Sequence, residues 1–489
     1  MKISNNKIRS EFDTEIKAKI KKIKAKIKAK IKAKIKATEN ETKEVSLLDQ
    51  IKNKNDPFYS DILKHEEKFI IKQVELNSGI AENRLLRDNI FLLFVAINLN
   101  IPIFIIGKPG SSKTLSVNLI EKEMDGKYSK KNFFKKYPAI YRTWFQGSES
   151  TSPQEVENLF TTIEQKAIKN NKKNNDFYAG QLPIYLIFFD EFGLCEISDK
   201  KPLNILNFKF EYESKHDHLS FIGISNWALG ASIMNRGFTL SVPELHENLD
   251  DIKETCEKIV ISINPNLWKP PYKQIFEALS DSYMQYKKNL EEVYKVNEAD
   301  EPLCHGCRDY YYLIRNVAYN LSDFSDHNNN FTDIDEIEFV TSAIERNFDS
   351  FHIKSNNTIE ESIKVFKKIY LDKRKKNNDD KFKDFVNKEK DVIKNIISNI
   401  HDKKSRNLLL ITKSSLNILL VETLLKKLKE NSKDDIGLFH EIGSTFEDDE
   451  SEEYKFKIIN KIQEHTKKGR IIIFKNFPKF FSHFMNYLI

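Results

Sequence analysis

A parallel α/β sheet carrying a phosphate-binding loop is the fold class this sequence predicts, and three observations predict it. Residues 107–114 read GKPGSSKT, follow the apolar run 101–106, and precede Leu115, Val117, Leu119 and Ile120 at helical spacing. From about residue 80 to 243, short apolar segments alternate with helical ones, as in a parallel sheet covered on both faces. One of those segments, YLIFFDE, runs straight into Asp190 and Glu191. At 489 residues the chain has room for two to four domains with substantial cores.

Residues 1–50 are a basic low-complexity tail in which Ile-Lys-Ala-Lys repeats between 15 and 37. Every-second-residue alternation suits a strand and isoleucine at every fourth residue suits a helix, so periodicity leaves both open. Of the net charge of +7, about +9 sits in residues 1–44, which leaves the rest near −2. A general polyanion partner, and with it a nucleic-acid remodeller, therefore finds support only in the tail. That tail reads as a solvated, partly helical segment, or as one that contacts anionic surfaces.

Residues 51–85 read as linker helices, and 86–243 as the large α/β subdomain. The stretch NIFLLFVAINLNIPIFIIG, residues 89–107, approaches the length of a membrane span. Asn98, Asn100 and Pro102 interrupt it, and Pro102 disfavours helix at the residue before it, so a buried helix followed by a strand is expected. Strands are expected at 101–106, 139–144, 184–190, 219–225 and 238–242. Ser152-Pro153 starts a helix between the second and third, and the polar residues 170–175 suit a surface loop.

Residues 244–353 lose strand character and read as a small helical lid with a break at 265–271. Residues 354–405 are Lys/Asn-rich and read as a helical linker, after which strand and helix alternate again over 406–489. No transmembrane segment and no secretory signal are expected. Four cysteines suit a reducing, cytoplasmic compartment, and Cys304-His-Gly-Cys307 lacks a matching second pair for a zinc site.

The loop assigns roles by chemistry. Gly107, Lys108, Pro109, Gly110, Ser111, Ser112, Lys113, Thr114 and Leu115 form a cradle at a helix N-terminus, in which every residue but the proline offers a backbone N–H. Lys113 meets the β/γ-phosphates and the Thr114 hydroxyl is a Mg²⁺ ligand. Ser112 stands where a second glycine is expected. Asp190 holds Mg²⁺ from a neighbouring strand, and Glu191 activates the attacking water. Asn226, after FIGIS, is a sensor beside the γ-phosphate if its strand neighbours the Asp-Glu strand. Arg236, just before the fifth strand, is a candidate arginine finger toward an adjacent module, and Arg308 in the lid can grip phosphate with its planar fork.

Loop, Asp-Glu strand, Asn strand, arginine before the fifth strand and a lid opened by Gly-x-Arg resemble, in that order, the AAA+ ATPases. The strings GKPGSSKT, FFDEFGLCEIS followed by KPLNIL, FIGISNWALGASIMNRG and GCRDYYYLIR narrow the likeness to the mysterin family, giant ring-finger ubiquitin ligases with tandem AAA+ modules. The resemblance covers roughly 80–350 well, and the family shares the serine at position 112. It implies ATP as the nucleotide, a neighbouring AAA+ module or protomer as partner, and a connection to the ubiquitin system.

Residues 405–489 are similar, more weakly, to the start of the next module. There Thr412-Lys413-Ser414-Ser415 lack a glycine loop, and Lys475-Asn476 replace the acidic pair, so hydrolysis is not expected in that half. No ring-finger spacing is present, so ubiquitin transfer is not expected from this chain. ATP hydrolysis coupled to movement between modules is the first reading, and a nucleotide-regulated scaffold without turnover is the second.

Overall fold

The computed structural model describes residues 57–173, 182–212, 219–296, 305–327, 331–348, 352–355, 358–375, 392–402, 416–431, 438–442 and 452–475. The basic tail, Cys304, the expected strand after Asn407, residues 412–415 with Lys413, and Asn476 lie outside the described residues.

Helix α1 (Pro57–Ile71) leads to α2 (Arg84–Leu99), whose Leu85, Leu86, Ile90, Leu93, Phe94 and Ile97 recur at helical spacing and are buried. Asn83 caps α2 by accepting the Leu86 N–H at 3.0 Å. Asn100 ends it in the left-handed region (φ 52°), and the Ile101 N–H closes back onto the Ala96 carbonyl at 2.9 Å. The first strand, β1 (Ile103–Ile106), is therefore two residues shorter at its start than the apolar run suggests, because those residues complete the helix end.

With β2 (Ile140–Gln146), β3 (Ile184–Asp190), β4 (Leu219–Ser225) and β5 (Phe238–Ser241), β1 forms a five-stranded parallel sheet in the order β2-β3-β4-β1-β5. β3 and β4 coincide with the expected segments. β2 runs two residues further than expected, so that Gln146 pairs with Asp190. The inner strands β1, β3 and β4 are buried almost throughout, whereas the edge strands expose Tyr141, Trp144 and Phe238.

Alternate residues face opposite layers. Ile103, Ile105, Leu186, Phe188, Ile222 and Ile224 meet α2, α3 (Lys113–Glu123) and the lid. Phe104, Tyr185, Ile187, Phe189 and Phe221 meet α4 (Pro153–Lys173) and the short helices α5 (Leu194–Ile197) and α6 (Asn204–Tyr212). Ser152 and Glu155 cap α4 reciprocally, with Pro153 in its first turn. A further short helix, α7 (Ala231–Met234), precedes β5. This order, with the loop leaving β1 between β4 and β5, is the AAA+ P-loop arrangement.

The lid comprises α8 (Leu249–Ile263), α9 (Lys273–Val296), α10 (Cys307–His327) and α11 (Asp333–Asn347). A hairpin, β6 (His352–Ser355) with β7 (Thr358–Glu361), leads to α12 (Ser362–Arg374). α12 falls in the span read as linker, yet its Ile363, Phe366, Ile369, Tyr370 and Leu371 share the lid's core. Glu336 of α11 accepts both Arg374 Nε and Nη2 at 2.8 Å and the Tyr370 hydroxyl at 2.7 Å. Buried Lys367 meets Glu345 at 3.2 Å.

Next, α13 (Val392–His401) is bonded to α11 from its own side. Asn395 donates to Glu345 at 3.1 Å, and Asp402 just beyond it pairs with Arg346 at 3.1 Å. Then come α14 (Leu416–Asn431), β8 (Leu438–Ile442), α15 (Glu452–Lys467) and β9 (Ile471–Lys475), with β8 and β9 parallel. No helix among the described residues is long and apolar enough to cross a membrane.

Candidate nucleotide-binding site

The loop begins where β1 stops pairing: Gly107 N–H donates to the Ser225 carbonyl of β4 at 3.2 Å, and Val242 N–H to the Ile106 carbonyl at 2.7 Å. Two left-handed residues turn it, Gly110 at φ +90° and Ser112 at φ +60°. Glycine would adopt the second at no steric cost. An L-residue pays about 1–2 kcal/mol there, so the serine stores strain in the loop. The Ser112 side chain makes no capping bond; its carbonyl instead starts α3 by accepting Ser116 N–H at 2.9 Å and Ser116 Oγ at 2.7 Å. Fully buried Asn89 of α2 donates to the Ser111 carbonyl at 3.1 Å. Sequence reading missed this support, though an asparagine on an otherwise apolar helix face was the available signal.

Lys113, the first residue of α3, is almost wholly buried. Its Nζ donates to the carbonyls of Gly107 and Lys108 (3.1 Å to the latter) and to Asn226 Oδ1 at 3.2 Å. Asn226 in turn donates from Nδ2 to Glu191 Oε2 at 3.0 Å. Lysine, asparagine and glutamate thus form one chain across the carboxyl ends of β1, β4 and β3. Their juxtaposition follows from the topology, because β4 pairs with both of the other strands. Burial pulls the Lys113 ammonium down to about 8, against the opposing pull of Glu191 and Asp190.

Glu191 has a left-handed backbone (φ +47°) and its N–H donates to Asp190 Oδ1 at 3.0 Å. The turn fits because Gly147 lies against it: a Cβ there would stand 2.6 Å from the Glu191 carbonyl oxygen. Burial raises the pKa of both carboxyls, and Asp190 pushes Glu191 further up, while Lys113 lowers both. Thr114, second in α3, is exposed; Pro109 is exposed and Leu115 half-buried against the core.

The lid rests on the loop. Tyr311 donates its hydroxyl to the Gly110 carbonyl at 3.0 Å. Cys307 Cβ and the Arg308 backbone nitrogen lie 2.9 and 3.3 Å from where a Gly110 Cβ would stand. Arg308 is exposed at the second position of α10, near enough to act on the charges of Lys113 and Glu191. Arg236 does not join this group. It precedes β5 at the amino end of the sheet, where Phe238 N–H meets the Pro102 carbonyl at 2.7 Å, and its guanidinium donates to the Ser232 carbonyl one turn back.

A family model described as the RNF213 AAA domain matches residues 79–248, and a second with the same description matches 397–488. Together they span just over half of the chain. The chain belongs to the RNF213, or mysterin, family as an AAA+ region. Over 256 residues it is 33% identical to the E3 ubiquitin-protein ligase rnf213-beta of Danio rerio, and over 265 residues 29% identical to the E3 ubiquitin-protein ligase RNF213 of Homo sapiens. These matches cover 51% and 53% of this chain but 5% of each relative, so the chain spans a small part of the mysterin proteins it resembles.

More distant likenesses join it to solved structures. The K64R mutant of Thermotoga maritima RuvB is 12% identical with a TM-score of 0.27, covering 45% of this chain and 66% of that one. C. elegans PCH-2 is 11% identical with a TM-score of 0.28, covering 55% and 70%.

Proposed function

We propose that this mysterin-family module binds and hydrolyses ATP and converts nucleotide state into movement between modules. The observation that carries the reading is the hydrogen-bonded chain from Lys113 through Asn226 to Glu191 beneath a loop that the lid already touches. Lys113 receives the β/γ-phosphates, Asn226 senses them and hands the change to Glu191, and Glu191 orients and deprotonates the attacking water. Arg308 reports the γ-phosphate to the lid. Arg236, turned away from its own module's loop, acts across the interface on a neighbouring module or protomer.

The donor set suits magnesium. An exposed threonine hydroxyl and a carboxylate whose pKa burial has raised are hard oxygen ligands beside a site for polyanions, and a divalent cation would relieve that buried charge. Thr114 and Asp190 would hold it, and it would neutralise charge on the phosphates. The relatives' names suggest that the module works within a ubiquitin-ligase system, and its few cysteines suit a cytoplasmic setting.

The test is Glu191→Gln beside Lys113→Ala in the full chain. Glu191→Gln should bind ATP but lose turnover by roughly two orders of magnitude or more, the scale of general-base loss. Lys113→Ala should bind poorly. Unchanged phosphate release in the glutamine variant would refute the assignment. Tight ATP binding with no release from the wild type would favour a nucleotide-regulated scaffold instead.

A further inference from the structure

A charge network outside the catalytic chain, with His246 and Lys287 buried at its centre, joins the loop to the lid. Lys108, second residue of the loop, is ion-paired with Glu244, the residue that leads from β5 into the short helical turn Leu245–Glu247. The Glu244 carboxylate also caps that turn, and His246 within it lies between two acids: Nδ1 is 3.3 Å from Glu244 Oε2 and Nε2 is 2.5 Å from Glu291 Oε1 on lid helix α9. The Nδ1 contact is charge attraction without a formed hydrogen bond. Lys287, buried one turn before Glu291, adds its field to Glu244. Loop, hinge and lid therefore each supply part of one cluster.

We propose that Glu244 is a positioning residue for nucleotide binding: by holding Lys108 of the loop and His246 of the hinge together, it sets the phosphate loop and the lid in register. The proposal rests on the ATP reading above. Burial opposes ionisation of Glu244, yet His246 and Lys108 hold it down to about 2, so it is charged at any working pH. Burial also opposes a charged His246, but Glu244 and Glu291 raise it above its usual value. The sign follows. With a raised folded pKa, the cationic histidine is fully present below about 6.5 and is lost as pH rises through the folded value. Two half-buried carboxylates then lose their shared cation, leaving Lys108 and Lys287 to hold Glu244, and the hinge loosens beside the loop.

The experiment titrates a fluorescent ATP analogue into the full chain between pH 6.0 and 7.5, with melting temperature followed alongside. Wild-type affinity should fall as pH rises across this window. Glu244→Gln keeps the shape and the cap, and should weaken affinity about tenfold, the scale of one charge-assisted hydrogen bond, with KM changing more than kcat. It should also flatten the pH dependence, as should His246→Asn. Lys108→Ala and Glu244→Gln should be non-additive.

If Glu244→Gln melts early, Glu291→Gln at the partly exposed end of the network carries the test, since it too should flatten the pH dependence. Wild-type affinity and pH slope in both glutamine variants, or a lowered melting temperature alone, would overturn the proposal. Wild-type binding without any pH slope would overturn it while leaving the ATP reading intact; absence of analogue binding at every pH would overturn both.

Discussion

Gly110→Ala tests how far the phosphate loop and the lid share one surface. The new Cβ would meet Cys307 Cβ at 2.9 Å and the Arg308 backbone nitrogen at 3.3 Å. Neither is the far end of a flexible side chain, so the loop or the start of α10 must move. The backbone at φ +90° adds a penalty of about 1–2 kcal/mol for any L-residue. Displacing α10 would also strain the Tyr311 bond to the Gly110 carbonyl, a net contribution of about 0.5–1.5 kcal/mol.

A loss of about 2–3 kcal/mol is expected in all, or roughly 4–10 °C in melting temperature for a unit of this size. The control is Gly306→Ala: nothing lies within 4 Å of its added Cβ and its backbone is not left-handed, so a change within about 0.5 kcal/mol is expected. Scanning fluorimetry reads the stability, and titration with a fluorescent ATP analogue reads the site. Gly110→Ala should weaken binding by about tenfold or more, because lid and cradle can no longer close together. Equal melting temperatures and affinities for the two variants would refute the reasoning.

Two further outcomes follow from buried charges. Because burial lowers Lys113 to about 8, the empty site has lost part of its proton between pH 8 and 9; a triphosphate restores it. Binding there should take up a proton and weaken as pH climbs past 8, read by calorimetry in buffers of different ionisation enthalpy; a heat independent of buffer would count against this. In the lid, Glu336→Ala should cost about 3–5 kcal/mol, since it leaves Arg374 and Tyr370 without their shared acceptor. A denaturation midpoint within experimental error of wild type would contradict that.

Much of the sheet was legible because its signal is local. β3 and β4 are short apolar runs bounded by turn residues, and burial on both faces leaves nothing to blur their limits. β1 was overread at its start, since Ile101 looks like strand but closes the end of α2. Ser112 illustrates the reverse case. The sequence shows a missing glycine, whereas the backbone shows that the left-handed turn is kept and the serine bears it.

What stayed hidden depends on long-range pairing. Asn89, Glu244 and His246 lie 22 or more residues from the partners that define them, apart from the hinge contact itself, and no local spacing marks them. α12 was read as linker because its lysines dominate the composition. Its apolar face becomes visible only when α9 and α11 are beside it.

The position of α11 has a practical meaning for dividing this chain. Its one face carries Glu336, which grips α12, and its far end carries Glu345 and Arg346, which grip α13 and Asp402. The second RNF213 AAA match begins at residue 397, inside α13. The boundary between the lid and the second matched region is therefore crossed by the Arg346–Asp402 ion pair, with the Asn395–Glu345 hydrogen bond just before it. A fragment ended near residue 353 would strip Phe366 and Tyr370 from the lid's interior and leave Glu336 without its cation. The smallest piece that keeps the first lid intact runs through Asp402, and it takes the opening helix of its neighbour with it.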